Sequence, residues 1–403
     1  MRDGANPETR WIVPGSRAYL KVSFGLFLAG FTTFSLLYCV QPLLPVFAAR
    51  FHVGPTESSL ALSFSTAFLS IALLCAAVIS ETIGRRGLMF LSMLSASLCN
   101  IGCAFVPDWT SLLVLRSVEG FVLGGMPAVA MTYLAEEIDP KGLGLATGLL
   151  VGGNAFGGMA GRVLTGFITE DWSWQIAVAT LGAMGLLSAI GFIFLLPPSK
   201  NFHRRTGFEA KFHLRAWSGH LKDRALLPLN AIPFLAMGSF VALYNYAGFR
   251  LSLPPFDLNQ RQMGWVFTVY LFGIAASFAA GAMADRFGRR KVLPAGILIT
   301  MAGILLTLAP GLPAMILGII ILTTGFFTVQ SVASGWVGRL AQSTKGHASS
   351  IYLLAYYLGS SLVGSSGGWF WGIGGWLAVA GFTLALYGLA LAAAMRVNRV
   401  VAQ

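Results

Sequence analysis

Charged residues are scarce in this chain, and their scarcity excludes a soluble protein. Only 10% of the 403 residues are Asp, Glu, Lys or Arg, whereas 56% are hydrophobic, and the mean hydropathy is +0.74. Soluble domains carry about 25% charged residues. The composition therefore predicts a polytopic membrane protein.

Histidines, cysteines and catalytic motifs are also sparse. The five histidines fall in expected loops or tails, and the four cysteines fall in hydrophobic stretches, where cysteine usually acts as a small apolar residue. The sequence has no paired catalytic carboxylates, zinc-ligand spacing, nucleophile elbow or phosphate-binding loop. We therefore expect no metal, no bound cofactor and no enzymatic activity. A membrane-embedded enzyme or a receptor is the alternative from another functional class.

Long hydrophobic stretches dominate the sequence instead. Twelve of them are long enough to cross a hydrocarbon core of about 30 Å. We place them near residues 20–40, 58–80, 88–106, 110–133, 142–168, 173–196, 226–247, 263–283, 292–309, 314–338, 348–370 and 374–395. Strands of a membrane barrel would be shorter and would alternate in polarity. We therefore predict an all-α membrane protein with 12 transmembrane helices.

The net charge of +12 would suit a protein that binds nucleic acid, but the positions of the basic residues argue against such a partner. If the N-terminus lies in the cytoplasm, the cytoplasmic segments hold 22 of the 27 Lys and Arg residues, and the opposite loops hold three. This asymmetry is the positive-inside bias of helical membrane proteins. We therefore expect a lipid bilayer and no nucleic acid as partner, both termini in the cytoplasm, and a first helix that is not a cleaved signal.

The chain divides into two related halves. An offset of about 204–206 residues places residues 34–38 (FSLLY) on residues 240–244 (FVALY), and the loop at 81–87 (ETIGRRG) on the loop at 285–291 (DRFGRRK). Such repeats are typical of transporters that bind substrate between two bundles. The predicted units are a cytoplasmic tail (1–19), an N-terminal six-helix bundle (20–196), a basic cytoplasmic linker (197–225), a C-terminal six-helix bundle (226–395) and a cytoplasmic tail (396–403).

Three charged residues, Arg116, Glu119 and Arg162, lie deep in hydrophobic stretches. An ion at that depth costs ~2.5–3.5 kcal/mol on insertion scales, so such residues are functional candidates. Arg116 and Glu119 share a helix face at a spacing that allows an ion pair. A low-dielectric site disfavours a charged carboxylate, whereas a nearby guanidinium favours it. Movement of Arg116 on and off Glu119 would load and release a proton. A static buried pair is the alternative.

Arg162 allows two interpretations. It follows Gly153, Gly157 and Gly161, which form a stripe against which another helix can pack closely. Arg162 is either a partner of Glu119 in proton coupling or an anchor for an anionic group of the substrate. The sequence leaves both interpretations open.

One loop resembles a motif of the major facilitator superfamily. It matches the GxxxDRxGRR pattern at Gly281, Asp285, Arg286, Gly288, Arg289 and Arg290. The related loop of the first half keeps Gly84 and Arg85, but it has Glu81 in place of the aspartate. The resemblance implies that these loops gate the conformational change. In physical terms, Gly281 would allow close helix packing and Gly288 a tight turn.

Two further motifs resemble the same superfamily. Residues 115–120 are similar to its LRxxQG motif, whose arginine is implicated in proton coupling, with Glu119 where Gln is commoner. The glycine stripe is similar to the antiporter motif of its exporters, with Gly158 where proline is usual. The chain as a whole resembles 12-helix drug:proton antiporters and arabinose-efflux-type permeases of the inner membrane.

The resemblance implies a fold and a set of cavity residues. Such a protein has two pseudo-symmetric six-helix bundles, works as a monomer on a proton gradient without a cofactor, and places its first, fourth, seventh and tenth helices around a central cavity. On that basis the candidate cavity residues are Phe34, Tyr38, Gln41, Asn154, Phe240, Tyr244, Asn245, Gln330 and Tyr356. For the tyrosines near helix ends, the alternative is the interfacial aromatic belt.

These features together predict a secondary active transporter for a small molecule. The first hypothesis is proton-coupled efflux of small amphipathic compounds by alternating access, because sparsely charged aromatic walls suit loose recognition. The alternative is a selective carrier of an organic anion or a sugar, by uptake or exchange, with Arg162 as the substrate anchor.

Overall fold

The structure, a computed structural model, describes residues 11–201, 210–341 and 345–402, without the side chains of residues 77, 78, 81–83, 210–214, 216, 345 and 402. The helices of the described residues are α1 (Arg17–Tyr38), α2 (Leu44–Phe51), α3 (Pro55–Ile83), α4 (Arg85–Cys103), α5 (Trp109–Leu123), α6 (Gly125–Glu137), α7 (Pro140–Asp171), α8 (Trp174–Leu195), α9 (Ala210–Lys222), α10 (Leu226–Ser252), α11 (Gln260–Val266), α12 (Tyr270–Phe287), α13 (Arg289–Leu306), α14 (Leu312–Leu340) and α15 (Lys345–Ala402). Short 3-10 turns, Gln41–Leu43 and Phe267–Val269, precede α2 and α12.

Ten segments of the described chain are long and apolar enough to cross a membrane. Three of them join consecutive helices: α1 with α2, α5 with α6, and α11 with α12. The last, within α15, contains two spans, because the backbone is non-helical at Gly374 and Gly375. Helix α13, 18 residues that begin with three basic ones, supplies the remaining span. The predicted all-α class with 12 transmembrane helices is therefore confirmed.

Polar residues and glycines set the helix ends. Ser16, Asp108 and Ser173 each accept a hydrogen bond from a backbone N–H in the first turn of the helix that follows, which satisfies a donor that has no partner within the helix. Gly84 and Gly288 lie between successive helices with φ of 93° and 86°, a conformation that other residues rarely adopt. Each of the two related loops therefore turns at its glycine.

Helix α7 packs closely on α1 through the glycine stripe. Gly153, Gly157 and Gly161 face the main chain of α1, and a Cβ atom at any of them would overlap it. The main-chain atoms that they meet belong to Phe27, Phe31 and Ser35. Small residues four apart let two helices approach in this way. The contact places Arg162, the next residue of α7, against the end of α1.

We refer to α1–α8 as the N-terminal half and to α10–α15 as the C-terminal half. Helix α9 connects the halves on the membrane face that also carries both ends of the described chain, because each half crosses the membrane six times. We call this the linker face. There Ile12 pairs with Ile138 at the turn between α6 and α7, and the Arg290 guanidinium donates to the carbonyl of Val401.

At the opposite face the two halves touch each other. The Gln260 backbone N–H donates to Glu170 Oε2 at 2.9 Å, and Gly166 of α7 lies against the main chain of Gly264 in α11. Elsewhere on that face, Gly368 of α15 lies against Thr56 at the start of α3. These contacts close the opposite face.

Toward the linker face the two halves diverge. Gly148 and Gly152 of α7, Gly281 of α12 and Gly338 of α14 have no described atom of another helix within 4 Å of where a Cβ would lie. Among the described residues, no helix packs closely on Gly281. From this contrast with the opposite face we infer that the space between the halves is open at the linker face.

Candidate functional site

Arg116 lies inside the N-terminal half and joins several of its helices. Its Nη1 atom is 2.7 Å from Glu119 Oε2, and both side chains have 0% exposure. Nη1 also donates to the carbonyl of Leu36 at 3.2 Å, and Nη2 donates to that of Leu37 at 2.7 Å. Nε donates to the carbonyl of Ala61 in α3 at 3.2 Å. Arg116 therefore links α5 to the end of α1 and to α3, in addition to its ion pair.

Glu119 has only one of its two oxygens satisfied. Oε2 accepts from Arg116, whereas Oε1 is buried and has no hydrogen-bond partner in the described part of the chain. A buried polar atom without a partner costs free energy, so Oε1 is the less stabilised of the two oxygens. The pair has no solvent exposure in this conformation.

Asn100 of α4 is a buried amide beside this ion pair. Its Nδ2 donates to the carbonyl of Val178 in α8 at 2.7 Å, and its Oδ1 accepts from Arg116 Nη1 at 3.5 Å. The Cys39 thiol lies 3.6 Å from the same Oδ1. Asn100 is not among the residues predicted from the sequence, although a lone amide in the middle of a hydrophobic stretch is a signal for such a site.

Close packing of α3 on α5 holds Arg116 and Glu119 in place. The Ser65 hydroxyl donates to the carbonyl of Arg116 at 2.9 Å. Gly120, the residue after Glu119, lies so near the main chain of Ser65 that a Cβ would overlap it. The glycine of the LRxxQG-like motif therefore allows the contact that buries the pair.

Arg162 lies between the two halves, nine residues before the end of α7, or ~14 Å along its axis. Its Nε donates to Gln41 Oε1 and its Nη1 to the carbonyl of Gly158, both at 2.6 Å. Gln41 Nε2 in turn donates to Asn245 Oδ1 of α10 at 2.7 Å. This chain of side-chain hydrogen bonds crosses from the N-terminal to the C-terminal half.

Aromatic rings surround the Arg162 guanidinium. Its central carbon lies 4.3 Å from the ring centroid of Tyr38, 4.8 Å from that of Tyr270 and 5.4 Å from that of Phe267. Tyr38 belongs to the N-terminal half, and the other two rings belong to the C-terminal half. Such cation–π contacts contribute roughly 0.5–2 kcal/mol each. Arg162 therefore helps to hold the halves together.

Glu119 and Arg162 do not form an ion pair. Among the ion pairs of the described residues, Glu119 pairs with Arg116 and none involves Arg162. The two polar sites are nevertheless adjacent through α1, because Arg116 binds carbonyls in the last turn of α1 and Arg162 contacts Tyr38 at its end.

The other candidate cavity residues of the N-terminal half occupy different positions. Phe34 is half-buried, and its ring centroid is 6.0 Å from that of Tyr38. Asn154 is half-buried in the contact between α7 and α1, against Gly30. Its Oδ1 has no hydrogen-bond partner among the described residues. The structure thus brings Phe34 next to Tyr38 and Arg162, and it places Asn154 in a helix contact.

Phe240 and Tyr244 are buried in an aromatic cluster of the C-terminal half. The Phe240 ring stacks on Phe326 with centroids 3.8 Å apart. The Tyr244 hydroxyl lies 2.7 Å from Thr323 Oγ1. Each is 3% exposed, as Tyr38 is. The ring centroid of Tyr270, which lies beside Arg162, is 5.9 Å from that of Phe240 and 5.3 Å from that of Tyr244. The stacking and the hydroxyl contact hold both rings between α10 and α14.

Gln330 and Tyr356 line a small pocket within the C-terminal half, between α10, α14 and α15. Pro233, Ala236 and Tyr352 also line it, and its volume is about 10 Å³, enough for roughly one water. The Tyr352 hydroxyl donates to the Gln330 carbonyl at 3.3 Å. These residues are close together, but the pocket is too small for a substrate.

The loop between α12 and α13 carries exposed ion pairs. Asp285 Oδ1 lies 3.2 Å from Arg289 and 3.4 Å from Arg339 of α14. The Arg286 guanidinium lies 5.2 Å from the ring centroid of Phe287. Because the Asp285 side chain is 64% exposed, solvent screens these pairs, and each is worth about 0–1 kcal/mol.

The related loop of the N-terminal half is more deeply buried. Arg85 is 2.9 Å from Glu136 of α6 and also donates to the Ser80 hydroxyl. The side chain of Glu81 lies outside the described residues. In the N-terminal half, the loop supplies the arginine of the ion pair and α6 supplies the acid. In the C-terminal half, the loop supplies the acid, Asp285, and α14 supplies the arginine. The two related loops therefore contribute opposite charges to these pairs.

Comparison with known proteins identifies relatives over nearly the whole chain. The sequence profile of the Major Facilitator Superfamily matches residues 26–259 and 235–402. The uncharacterized MFS-type transporter YybF of Bacillus subtilis (strain 168) is 44% identical over 361 residues, which are 90% of this chain and 89% of that protein. The inner membrane transport protein YnfM of Escherichia coli (strain K12) is 41% identical over 398 residues, 99% of this chain and 95% of that protein.

Solved structures share the same fold at low sequence identity. A bacterial homologue of the human lysosomal transporter Spinster, in an inward-facing and occupied conformation, superposes with a TM-score of 0.77 at 14% identity. The alignment covers 96% of this chain and 98% of that one. At this identity the likeness shows the fold alone.

Proposed function

Since this chain belongs to the major facilitator superfamily, we propose that it exports small amphipathic compounds in exchange for protons. Membership makes the chain a secondary transporter of the inner membrane that moves small molecules, and not an enzyme. The coupling ion, the direction and the substrate class are our proposal. It is carried by the fully buried pair of Arg116 and Glu119, whose second carboxylate oxygen has no donor among the described residues.

Arg116 connects the proposed proton site to the contact between the halves. It binds main-chain carbonyls in the last turn of α1, and that helix ends at Tyr38, whose ring lies beside Arg162. A proton on Glu119 would remove the charge that holds Arg116 Nη1, while the bonds to the carbonyls of Leu36 and Leu37 remain. The Arg116 side chain would then be free to follow the end of α1 away from Glu119, so protonation would change the balance between the two arrangements of the halves.

The charge distribution supports an orientation of the protein in the membrane, and the proposed cycle follows from that orientation. We place the linker face in the cytoplasm, because 22 of the 27 Lys and Arg residues would then be cytoplasmic. The present conformation is then open to the cytoplasm. In the cycle, Glu119 takes a proton from outside in an outward-open state, and the protonated protein turns inward. The proton leaves, the ion pair with Arg116 forms again, and the protein carries substrate out.

A selective carrier of an organic anion or a sugar is the second candidate function. It is favoured by one observation: Arg162 lies at the contact between the halves and has no acidic partner among the described residues. In such a carrier, Arg162 would bind the substrate directly, and Glu119 would only balance the charge of Arg116.

Proton movement in energised inverted membrane vesicles tests the first proposal. Ethidium and naphthoate serve as an amphipathic cation and anion, and a pH-sensitive dye reports the acidity inside the vesicle. With the wild-type protein, at least one probe should release protons from the acidic interior. Glu119→Gln should abolish this release. Asp108→Asn is the control, because it replaces an exposed acid and keeps a residue that caps α5.

An equal response from the wild type and Glu119→Gln would show that Glu119 is structural. Naphthoate transport that depends on Arg162, and that proceeds without proton movement, would favour the selective carrier instead. Loss of response in the Asp108→Asn control would point to a defect in folding or membrane insertion rather than in coupling.

A further inference from the structure

One face of α1 is lined with aromatic rings. Its members are Phe24, Phe27, Phe31, Phe34 and Tyr38. Spacings of three and four residues place these side chains on one side of the helix, over 14 residues or ~21 Å. The ring centroids of Phe24 and Phe27 are 6.3 Å apart, and those of Phe34 and Tyr38 are 6.0 Å apart. We call this set the α1 aromatic stripe.

The α1 aromatic stripe runs from the linker face to the contact between the two halves. Its deep end, Tyr38, lies against Arg162 at that contact. Phe24, at the other end, is 52% exposed, whereas Phe31 and Tyr38 are 9% and 3% exposed and Phe34 between them is half-buried. We take the exposed end to face the space between the halves at the linker face.

Helix α7 extends this aromatic surface. The Phe156 ring centroid lies 6.3 Å from that of Phe27 and 6.1 Å from that of Phe31. The glycine stripe of α7 makes this contact possible, because it brings the main chains of α1 and α7 together. The result is an aromatic wall formed by two helices, to which Arg116 and Glu119 do not contribute.

Arg162 ends this wall as a cation without a counter-anion. It is only 2% exposed, and its hydrogen-bond acceptors among the described residues, on Gln41 and Gly158, are uncharged. A buried cation without an acid is costly, and ring faces offset only part of that cost. Because Arg116 and Glu119 neutralise each other, the deep charge that remains at the cavity is positive.

From these contacts we propose that the α1 aromatic stripe and Arg162 form one binding site for an amphipathic organic anion. The acid group lies at Arg162, and the apolar body lies along the stripe toward the linker face. Phe34 and Phe27 are seven residues apart, ~10 Å along the helix, which suits two fused rings. The inference rests on the proposed function in taking the occupant to be a transported compound, and it develops the Arg162 anchor of the second candidate.

Gly158 and Phe34 lie beside Arg162. Gly158 is buried, and apart from its own helix's main chain the described atoms within 4 Å of where its Cβ would lie are Arg162 Nη1 and Phe34 Cβ. An anion bound next to Phe34 would therefore be close to Nη1. A carboxylate is a stronger acceptor than the Gln41 amide that Arg162 now holds. Its binding would also weaken the link from Gln41 to Asn245, so substrate would loosen the contact between the halves.

Equilibrium binding of three matched probes tests this site. The full-length protein in lipid nanodiscs is dialysed against naphthoate, naphthamide and naphthylmethylammonium, which share one ring system and differ in charge. Naphthoate should bind at least about tenfold more tightly than either of the others. Arg162→Gln should remove this preference, and Arg162→Lys should keep most of it, because the charge remains.

Variants of the wall test the position of the rings. Phe27→Leu and Phe156→Leu should weaken the binding of all three probes by about three- to tenfold, as expected for the loss of one aromatic contact. Phe194→Leu is the matched control, because Phe194 lies on α8 away from the stripe and is 80% exposed. It should leave binding unchanged.

Two results would overturn the inference. One is naphthamide or naphthylmethylammonium binding as tightly as naphthoate to the wild type, a comparison that needs no variant to fold. The other is the absence of naphthoate binding. Failure of proton coupling is distinguishable, because binding is measured without a gradient. A Glu119→Gln protein that binds naphthoate normally would show that anion binding does not depend on proton coupling at Glu119.

Discussion

Arg116 and Glu119 neutralise each other in a site without solvent exposure. Removing one partner of a buried pair leaves an uncompensated charge and costs roughly 3–5 kcal/mol, whereas removing both charges often costs little. Arg116 has the larger structural role of the two, because it also donates to three main-chain carbonyls. Substitutions at the two positions should therefore have different consequences for stability.

Arg116→Gln should lower the free energy of unfolding by about 3–5 kcal/mol, because Glu119 would then be a buried charge without a partner. The double variant Arg116→Gln with Glu119→Gln should recover part of this loss, since no charge remains unpaired. Denaturant unfolding in detergent micelles measures both. A double variant no more stable than Arg116→Gln would contradict the assignment of the cost to an unpaired charge.

Asn100→Leu should impair both stability and the pH response of transport. The substitution removes the hydrogen bond from Asn100 to the Val178 carbonyl and the second side-chain acceptor of Arg116, a combined loss of about 1–3 kcal/mol. A positioning role predicts that the pH profile of probe-driven proton release shifts, in addition to the loss of stability. Ser95→Ala on the same helix is the control. Reduced stability with an unchanged pH profile in the Asn100→Leu protein would assign Asn100 a purely structural role.

Single residues were predictable from sequence where the interaction is local. The i, i+3 spacing of Arg116 and Glu119 predicts their ion pair, and the structure contains it. The link from Arg162 through Gln41 to Asn245 joins residues 121 and 204 positions apart. No spacing rule specifies such a contact, because it depends on how the two halves meet.

At the scale of helices, the contact of α7 with α1 depends on the absence of side chains. Gly157 lies directly against the α1 main chain, whereas Gly148, two and a half turns earlier in α7, faces open space. The same substitution should therefore have opposite effects at these two positions. The contrast separates packing from helix propensity, because both glycines are inside one helix.

Gly157→Ala should lower the free energy of unfolding by about 1–3 kcal/mol, since the new methyl group would force α1 and α7 apart. Gly148→Ala should leave it unchanged or raise it by about 0.4–1 kcal/mol, because alanine loses less entropy than glycine in a helix. Thermal unfolding of the two variants, side by side, provides the comparison. Equal destabilisation by both would show that the glycine stripe does not set the helix contact.

The helices were largely predictable from the length of the hydrophobic stretches, and the glycine stripe was predictable from its four-residue period. Helix contacts that depend on the conformation of the protein were not predictable from the sequence. Gly281 has the sequence context of a packing glycine, but no described atom of another helix lies within 4 Å of where its Cβ would be. The stacking of Phe240 on Phe326 and the contact of Tyr244 with Thr323 join residues about 80 positions apart, so no local pattern specifies them.

At the scale of the whole molecule, closure of one face and opening of the other is the central property. The sequence predicted twelve crossings and a two-fold repeat, because both are encoded in local patterns. It did not predict which face is open, since that choice reflects a small free-energy difference between two arrangements of the same helices. The contacts of Arg162 with rings of both halves are one term in that difference.

The most direct test of the account is the pH dependence of the opening at the linker face. Spin labels are attached at Leu145→Cys and Met283→Cys, both exposed positions on α7 and α12, in a protein whose four native cysteines are replaced by alanine. Pulsed electron resonance then measures the distance between the labels in nanodiscs, at acidic and at alkaline pH. Asp108→Asn is the control for Glu119→Gln.

We predict that lowering the pH shifts the wild type and the control toward the longer distance, because protonation of Glu119 favours the state open to the linker face. Glu119→Gln, which imitates the protonated acid, should keep the longer distance at every pH. A wild type whose distances ignore pH, or a Glu119→Gln protein that responds as the wild type does, would contradict proton coupling at Glu119.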